Sequence, residues 1–270
     1  MSDMKKKDVA TQKKAAKAVQ DGNVPMLASA LVEGADPNGR STLGFPLLHA
    51  ACEKNNPLLV SLLLESGADA NVPSKYGESA MHLAAERNFH AVLIILLEHK
   101  ADASVLTEDG DAALHKAARH GSREAAYVLL TRGADTNVKN SHTGRTALHE
   151  AANNNNAEIA GLLLDKGAHM QARDSEGFTP LMVAAQSGAR EAVKLLLDRK
   201  ADPNQSDHSG RTALIWAATK GDYIKIVELL LRARANPLFK DDTGNTALSR
   251  AKLMGHKKTA HLLECHTKSL

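Results

Sequence analysis

Glycine recurs at positions 44, 77, 110, 144, 177, 210 and 244, in steps of 33, 33, 34, 33, 33 and 34 residues. A period of that length, held through most of a 270-residue chain, excludes an irregular globule and requires stacked copies of one supersecondary unit. The segments after the glycines are alike: ESAMHLAAERN, DAALHKAARHG, RTALHEAANNN, FTPLMVAAQSG and RTALIWAATKG. A second apolar segment ending in Leu-Leu follows each, and then a turn such as SGADANV, RGADTNV or RKADPNQ. Helices this short are marginal alone, so each unit must bury its apolar side against the next.

The residue types suit that role. Ser79, Thr146, Thr179, Thr212 and Thr246 stand where a hydroxyl caps the first helix. Alanine pairs such as Ala84-Ala85 and Ala151-Ala152 permit close approach between units. Gly121, Gly188, Gly221 and Gly255, with Asn55, Asn88 and Asn155, fall between the helices, where a left-handed backbone is expected. Aromatic residues make up only 3% of the chain, so Leu63-Leu64, Leu129-Leu130 and Leu229-Leu230 must supply the core.

A turn, a Thr-Pro-Leu-His-x-Ala-Ala helix start and a closing Gly-Ala-Asp-x-Asn together resemble the ankyrin repeat. The resemblance implies an all-α repeat fold, an ankyrin-repeat solenoid of about eight stacked helix-turn-helix units with β-turn tips. Starts fall near residues 11, 44, 77, 110, 144, 177, 210 and 244, with capping repeats at both ends. The expected organisation is a basic N-terminal tail over 1–9, one repeat domain over 10–265 and a short tail over 266–270.

His149-Glu150 looks like half of a zinc-protease motif, but Asn153 stands where the second histidine belongs. His49, His82 and His115 share the slot of His149, and helices stacked 8–10 Å apart cannot bring such histidines to one ion. The resemblance implies instead that these imidazoles bond to the backbone of the turn region and tie repeats together. Met182, Ile215 and Ser249 fill the slot later in the chain. Thr107-Glu108-Asp109-Gly110-Asp111 has too few alternating oxygens for a calcium loop. Cys52 and Cys265 are read as free thiols. No phosphate-binding loop or hydrolase motif occurs, so neither a metal, a cofactor nor catalysis is expected.

Two irregularities depart from the pattern. Lys100 and Lys200 replace the glycine that ends a second helix, and an extra residue near Arg234 accounts for the last 34-residue step. Lys200, Arg232 and Arg234 would form a basic edge.

The net charge of +3 is uneven. Residues 1–20 carry six lysines against Asp3 and Asp8, giving +4, and residues 252–270 carry +3, so the centre sums to −4. Lys5, Lys6, Lys7, Lys13, Lys14 and Lys17 suggest an electrostatic tether to nucleic acid or anionic membrane as one alternative role. No apolar run long enough for a membrane helix and no secretory leader are read in the chain. The expected setting is the cytoplasm with access to the nucleus, and an effector delivered from a bacterium into a host cell stays open.

The leading expectation is a monomeric, non-catalytic protein-interaction module: an adaptor, inhibitor or targeting subunit. The resemblance implies that a protein or peptide docks on a concave face formed by the turn tips and the ends of the first helices. Those slots hold Lys75, Tyr76, Glu78, Glu86, Arg87, Glu108, Asp109, Asp111, Arg119, His120, Arg145, Asn153, Asn154 and Phe178. Tyr76 and Phe178 are the large aromatics among them and would be the anchors. Trp216 is expected to pack between repeats.

Overall fold

A computed structural model describes the backbone of residues 2–268 and the side chains of residues 9–268. Lys5, Lys6 and Lys7 as side chains, and Ser269-Leu270 of the C-terminal tail, lie outside the described residues. Sixteen helices and no strand form among the described residues. The helices gather into two compact units. The first runs to Ala117 and takes in Ser122–Asp135; the second holds Ala118–Gly121 and the chain from Thr136 onward.

In the first unit, α1 (Ser2–Asp21) and α2 (Val24–Val32) precede two helical hairpins, α3 (Leu47–Glu53) with α4 (Pro57–Glu65) and α5 (Ala80–Glu86) with α6 (His90–Glu98). The next first helix is α7 (Ala113–His120), and α8 (Arg123–Thr131) follows it. First helices stack on first helices (α3 on α5) and second on second (α4 on α6, α6 on α8). Leu59, Leu63, Leu93, Leu96 and Leu129 are wholly buried between the layers.

The second unit repeats the plan. Its hairpins are α9 (Ala147–Asn153) with α10 (Ala157–Asp165), α11 (Pro180–Ser187) with α12 (Arg190–Asp198), and α13 (Ala213–Lys220) with α14 (Ile224–Arg232). The last is α15 (Ala247–Leu253) with α16 (Lys257–Lys268). The row α9, α11, α13, α15 forms one layer and α10, α12, α14, α16 the other. Leu163, Leu196 and Leu230 fill the space between them.

The periodic glycine closes a β-turn. The amide of Gly77 donates to the Ser74 carbonyl at 3.2 Å, and Gly177 to Asp174 at 3.0 Å. Gly177 must be glycine for two reasons. Its φ is +84°, and an added Cβ would stand 3.0 Å from the backbone nitrogen of His208 in the next turn. That nitrogen donates to the Glu176 carbonyl at 3.0 Å, so consecutive tips touch through their backbones. At Gly144 the turn is one residue wider, with its amide reaching the Asn140 carbonyl, and this absorbs the 34-residue step from Gly110.

The second 34-residue step lies elsewhere than the sequence suggests. α12 starts 11 residues after the Thr179 cap, whereas α14 starts 12 after the Thr212 cap. Lys200 and Arg234 then follow at equal distances from the starts of those helices. The insertion is therefore at Gly221, not near Arg234. Gly221 is also extended, with φ −168°, rather than left-handed. The extra residue lets the backbone run straight there and still aligns Asp222, whose carboxylate accepts the Thr259 amide at 2.7 Å. Asn155 does the same for Ala192 one repeat pair earlier, at 3.0 Å. The other inter-helix residues are left-handed as expected, among them Asn55, Asn88, Asn155 and Gly188, and so are Lys100 and Lys200.

Candidate protein-binding surface

The histidine slot is scaffold. Thr146 caps α9, and its amide donates to Nδ1 of His149 at 3.1 Å. That fixes the imidazole proton on Nε2, which donates to the Phe178 carbonyl of the next turn at 3.0 Å. Burial holds His149 neutral by pulling its pKa down to about 4. His82 reaches the carbonyls of Val105 and Asp111 in the same way, and His49 that of Glu78. At His49 the cap is Pro46, which offers neither an amide proton nor a hydroxyl, and the buried Nδ1 is left without a partner. The asparagine of Gly-Ala-Asp-x-Asn is a second tie: Asn71 accepts the Asp102 amide at 2.8 Å and Asn204 the Asn236 amide at 2.7 Å.

Beneath the turns the two units differ. In the second unit Asp174, Asp207 and Asp241 lie under their tips. One oxygen of Asp174 accepts the amides of Glu176 and Phe178 at 3.0 and 2.9 Å, and Asp207 serves Ser209 and Arg211 alike. The other oxygens are taken by Arg145 (3.2 Å), the Trp216 indole (2.8 Å) and Arg250 (2.8 Å) respectively. Burial tends to raise Asp241, but Thr243, the Asn245 amide and Arg250 prevail and hold it at about 2. In the first unit Ser41, Ser74 and Thr107 fill this slot. A serine is smaller than an aspartate, and Ser41 and Ser74 line an open space, whereas Thr107 is buried.

That space is a groove of about 600 Å³. Leu43, Phe45 and Tyr76 form its mouth at the tips, and Glu53, Glu86 and Arg87 its other end on the first helices. Leu43 is 82% exposed and Tyr76 57%, which no packing demand explains. The Lys75 ammonium lies 4.7 Å from the Tyr76 ring centre and 5.6 Å from that of Phe45.

The residues selected from sequence divide accordingly. In the first unit Lys75, Tyr76, Glu78, Glu86 and Arg87 gather around this groove, while Glu108 and Asp109 are exposed on the following turn. Arg87 pairs with Glu53 at 3.2 Å, and the half-buried Glu78 and Glu86 share the ammonium of Lys116. Lys116 itself is buried, and sequence reasoning missed it because its slot on α7 gives no sign of burial. Asp111 requires correction: it is 2% exposed, drawn inward where its carbonyl receives His82, and offers no surface to a partner.

In the second unit His120 and Asn154 are exposed and Asn153 is half-buried. Arg119 is committed to the buried carboxylate of Glu150 at 2.9 Å, and Arg145 to Asp174. The glutamate of the zinc-like motif is thus an ion-pair partner. Phe178 is the second correction. It is 4% exposed, and its ring lies 5.1 Å from that of Trp216, so the larger side chain in the next repeat covers it. Trp216 packs between repeats as expected, with Arg211 stacked 4.7 Å from its ring.

Stacked helical hairpins with β-turn tips, left-handed inter-helix residues and a histidine tie define an ankyrin-repeat protein. The family model for ankyrin repeats in three copies matches residues 15–107, 48–140, 114–207 and 200–269, and the chain belongs to this family. Among solved structures it is similar to the ankyrin repeat domain of Bcl-3, described as a unique member of the IkappaB protein family. That likeness has a TM-score of 0.72 and 28% identity over 81% of this chain and 97% of the other. No curated protein matches the sequence. Family and likeness support a protein-interaction module on a fold known as a non-catalytic scaffold.

Proposed function

We propose that the chain is a non-enzymatic adaptor, inhibitor or targeting subunit that takes a protein or peptide on its turn tips and first-helix ends. One observation carries this reading: an open groove whose mouth exposes Leu43 and Tyr76 at the same slot of consecutive repeats. Neighbouring large apolar side chains with no internal role are what interface anchors look like. The tether reading receives less support. Of the three described lysines of α1, Lys14 is paired with Glu33 and Lys17 with Asp21, which leaves Lys13.

The test is affinity capture from lysate with the wild-type chain and with a Leu43→Glu, Tyr76→Glu double variant. Proteins held by the wild type and lost by the variant, at unchanged thermal stability, support the reading. A set of captured proteins that ignores the double substitution rejects it.

A further inference from the structure

We infer that the groove in the first unit takes an acidic segment carrying one bulky apolar anchor. This rests on the reading of the groove as a binding site and adds the chemistry of its occupant. The anchor follows from the mouth: Leu43, Phe45 and Tyr76 line one end of the groove, and the exposed Leu43 and Tyr76 offer apolar surface that a bulky side chain would cover.

The acidic character follows from which charges are already answered. Three carboxylates line the groove. Glu53 is paired with Arg87, and Glu78 and Glu86 hold the Lys116 ammonium at 2.7 and 3.5 Å. The last two share one cation, but they are set back in the wall, with side chains 30% and 31% exposed. Among the described residues, two cations of the groove remain without a carboxylate. Lys54 lines the groove at the end of α3, and Lys75 rests on the rings of the mouth. The charge that meets an arriving segment at the apolar mouth is therefore that of Lys75, which leans over the Phe45 and Tyr76 rings, while the exposed Glu108 and Asp109 stand on the following turn, with Glu108 against Gly77. An aspartate or glutamate next to the anchor answers Lys75 in a partly desolvated place, whereas a lysine or arginine there faces a like charge.

The test is selection from a displayed library of random peptides about 12 residues long, long enough to span a groove this size, on the immobilised full chain. Parallel selections use the Lys75→Glu and Leu43→Glu variants, both at exposed positions, with thermal melts to confirm folding. The expected wild-type winners carry Leu, Phe, Tyr or Trp flanked by several-fold more Asp and Glu than Lys and Arg. An individual winner then loses about ten-fold in affinity to Lys75→Glu, as a like-charge contact at a rim demands, and all measurable binding to Leu43→Glu. Winners with neutral or basic flanks that are lost on Leu43→Glu but indifferent to Lys75→Glu would overturn the acidic partner and leave the groove as a binding site. Winners indifferent to Leu43→Glu, or no winners, would overturn the groove itself.

Discussion

His149 gives the chain a stability that depends on pH, and the structure fixes its sign. Nδ1 accepts the Thr146 amide and Nε2 donates to Phe178, so a second proton would set two N–H groups against each other inside the core. With the folded pKa near 4 and an ordinary value of 6.5, acid is taken up first by the unfolded chain. The stabilisation is complete above pH 6.5 and is lost as the pH falls toward 4. At about 1.4 kcal/mol per pH unit, the loss between pH 7 and 4.5 is about 2.5 kcal/mol. The comparison needed is His149→Met, because Met182 already occupies this slot in the next repeat, with its sulfur 3.5 Å from the Thr179 amide. The variant gives up the bond to the Phe178 carbonyl and is less stable at pH 7 by about 1–3 kcal/mol. Urea unfolding followed by Trp216, the single tryptophan and a member of the same unit, reads the effect directly. The gap between wild type and variant should close by about 2.5 kcal/mol between pH 7 and 4.5. Other buried histidines such as His49 and His82, also lowered mainly by burial, titrate in both proteins and cancel. A gap that stays constant across this range would refute the argument.

Other consequences are equally specific. Lys100→Gly and Lys200→Gly, at φ +62° and +70°, should each raise the urea midpoint, by about 0.5–1 kcal/mol of stability after the entropy of glycine is subtracted. Gly177→Ala should cost about 2 kcal/mol or more, since strain at positive φ adds to a contact with the His208 backbone; equal midpoints would contradict the tip-to-tip packing. Ellman's reagent should label the exposed Cys265 at once and Cys52 only on unfolding, because burial pushes the Cys52 thiol far up.

The repeat register and the left-handed asparagines between the helices were legible from one sequence because each depends on local backbone demands that only a few residue types meet. The histidine ties followed from the family resemblance, and the left-handed Lys100 and Lys200 were not foreseen. Where the chain inserts a residue was less legible. Gly221 and Arg234 lie in the same repeat, and spacing alone does not say which turn absorbs the excess. Tip occupancy was less legible still. Phe178 and Tyr76 hold related turn positions, yet Phe178 is covered by Trp216 one repeat later while Tyr76 has only a lysine over it. Burial at a tip is decided by a side chain some thirty-eight residues away, and a single slot does not carry that information. Asp174, Asp207 and Asp241 differ in that their carboxylates are taken up within their own turns, while Ser41 and Ser74 at the same slot leave the groove open.

The most direct measurement is hydrogen exchange on the full chain with and without a bound partner, either a protein recovered by capture or a selected peptide. Slowed exchange confined to the turns at residues 41–45 and 74–78 and to the ends of α3 and α5 is the predicted result. Protection that falls on other surfaces and leaves those turns unchanged would contradict a partner seated between Leu43 and Tyr76.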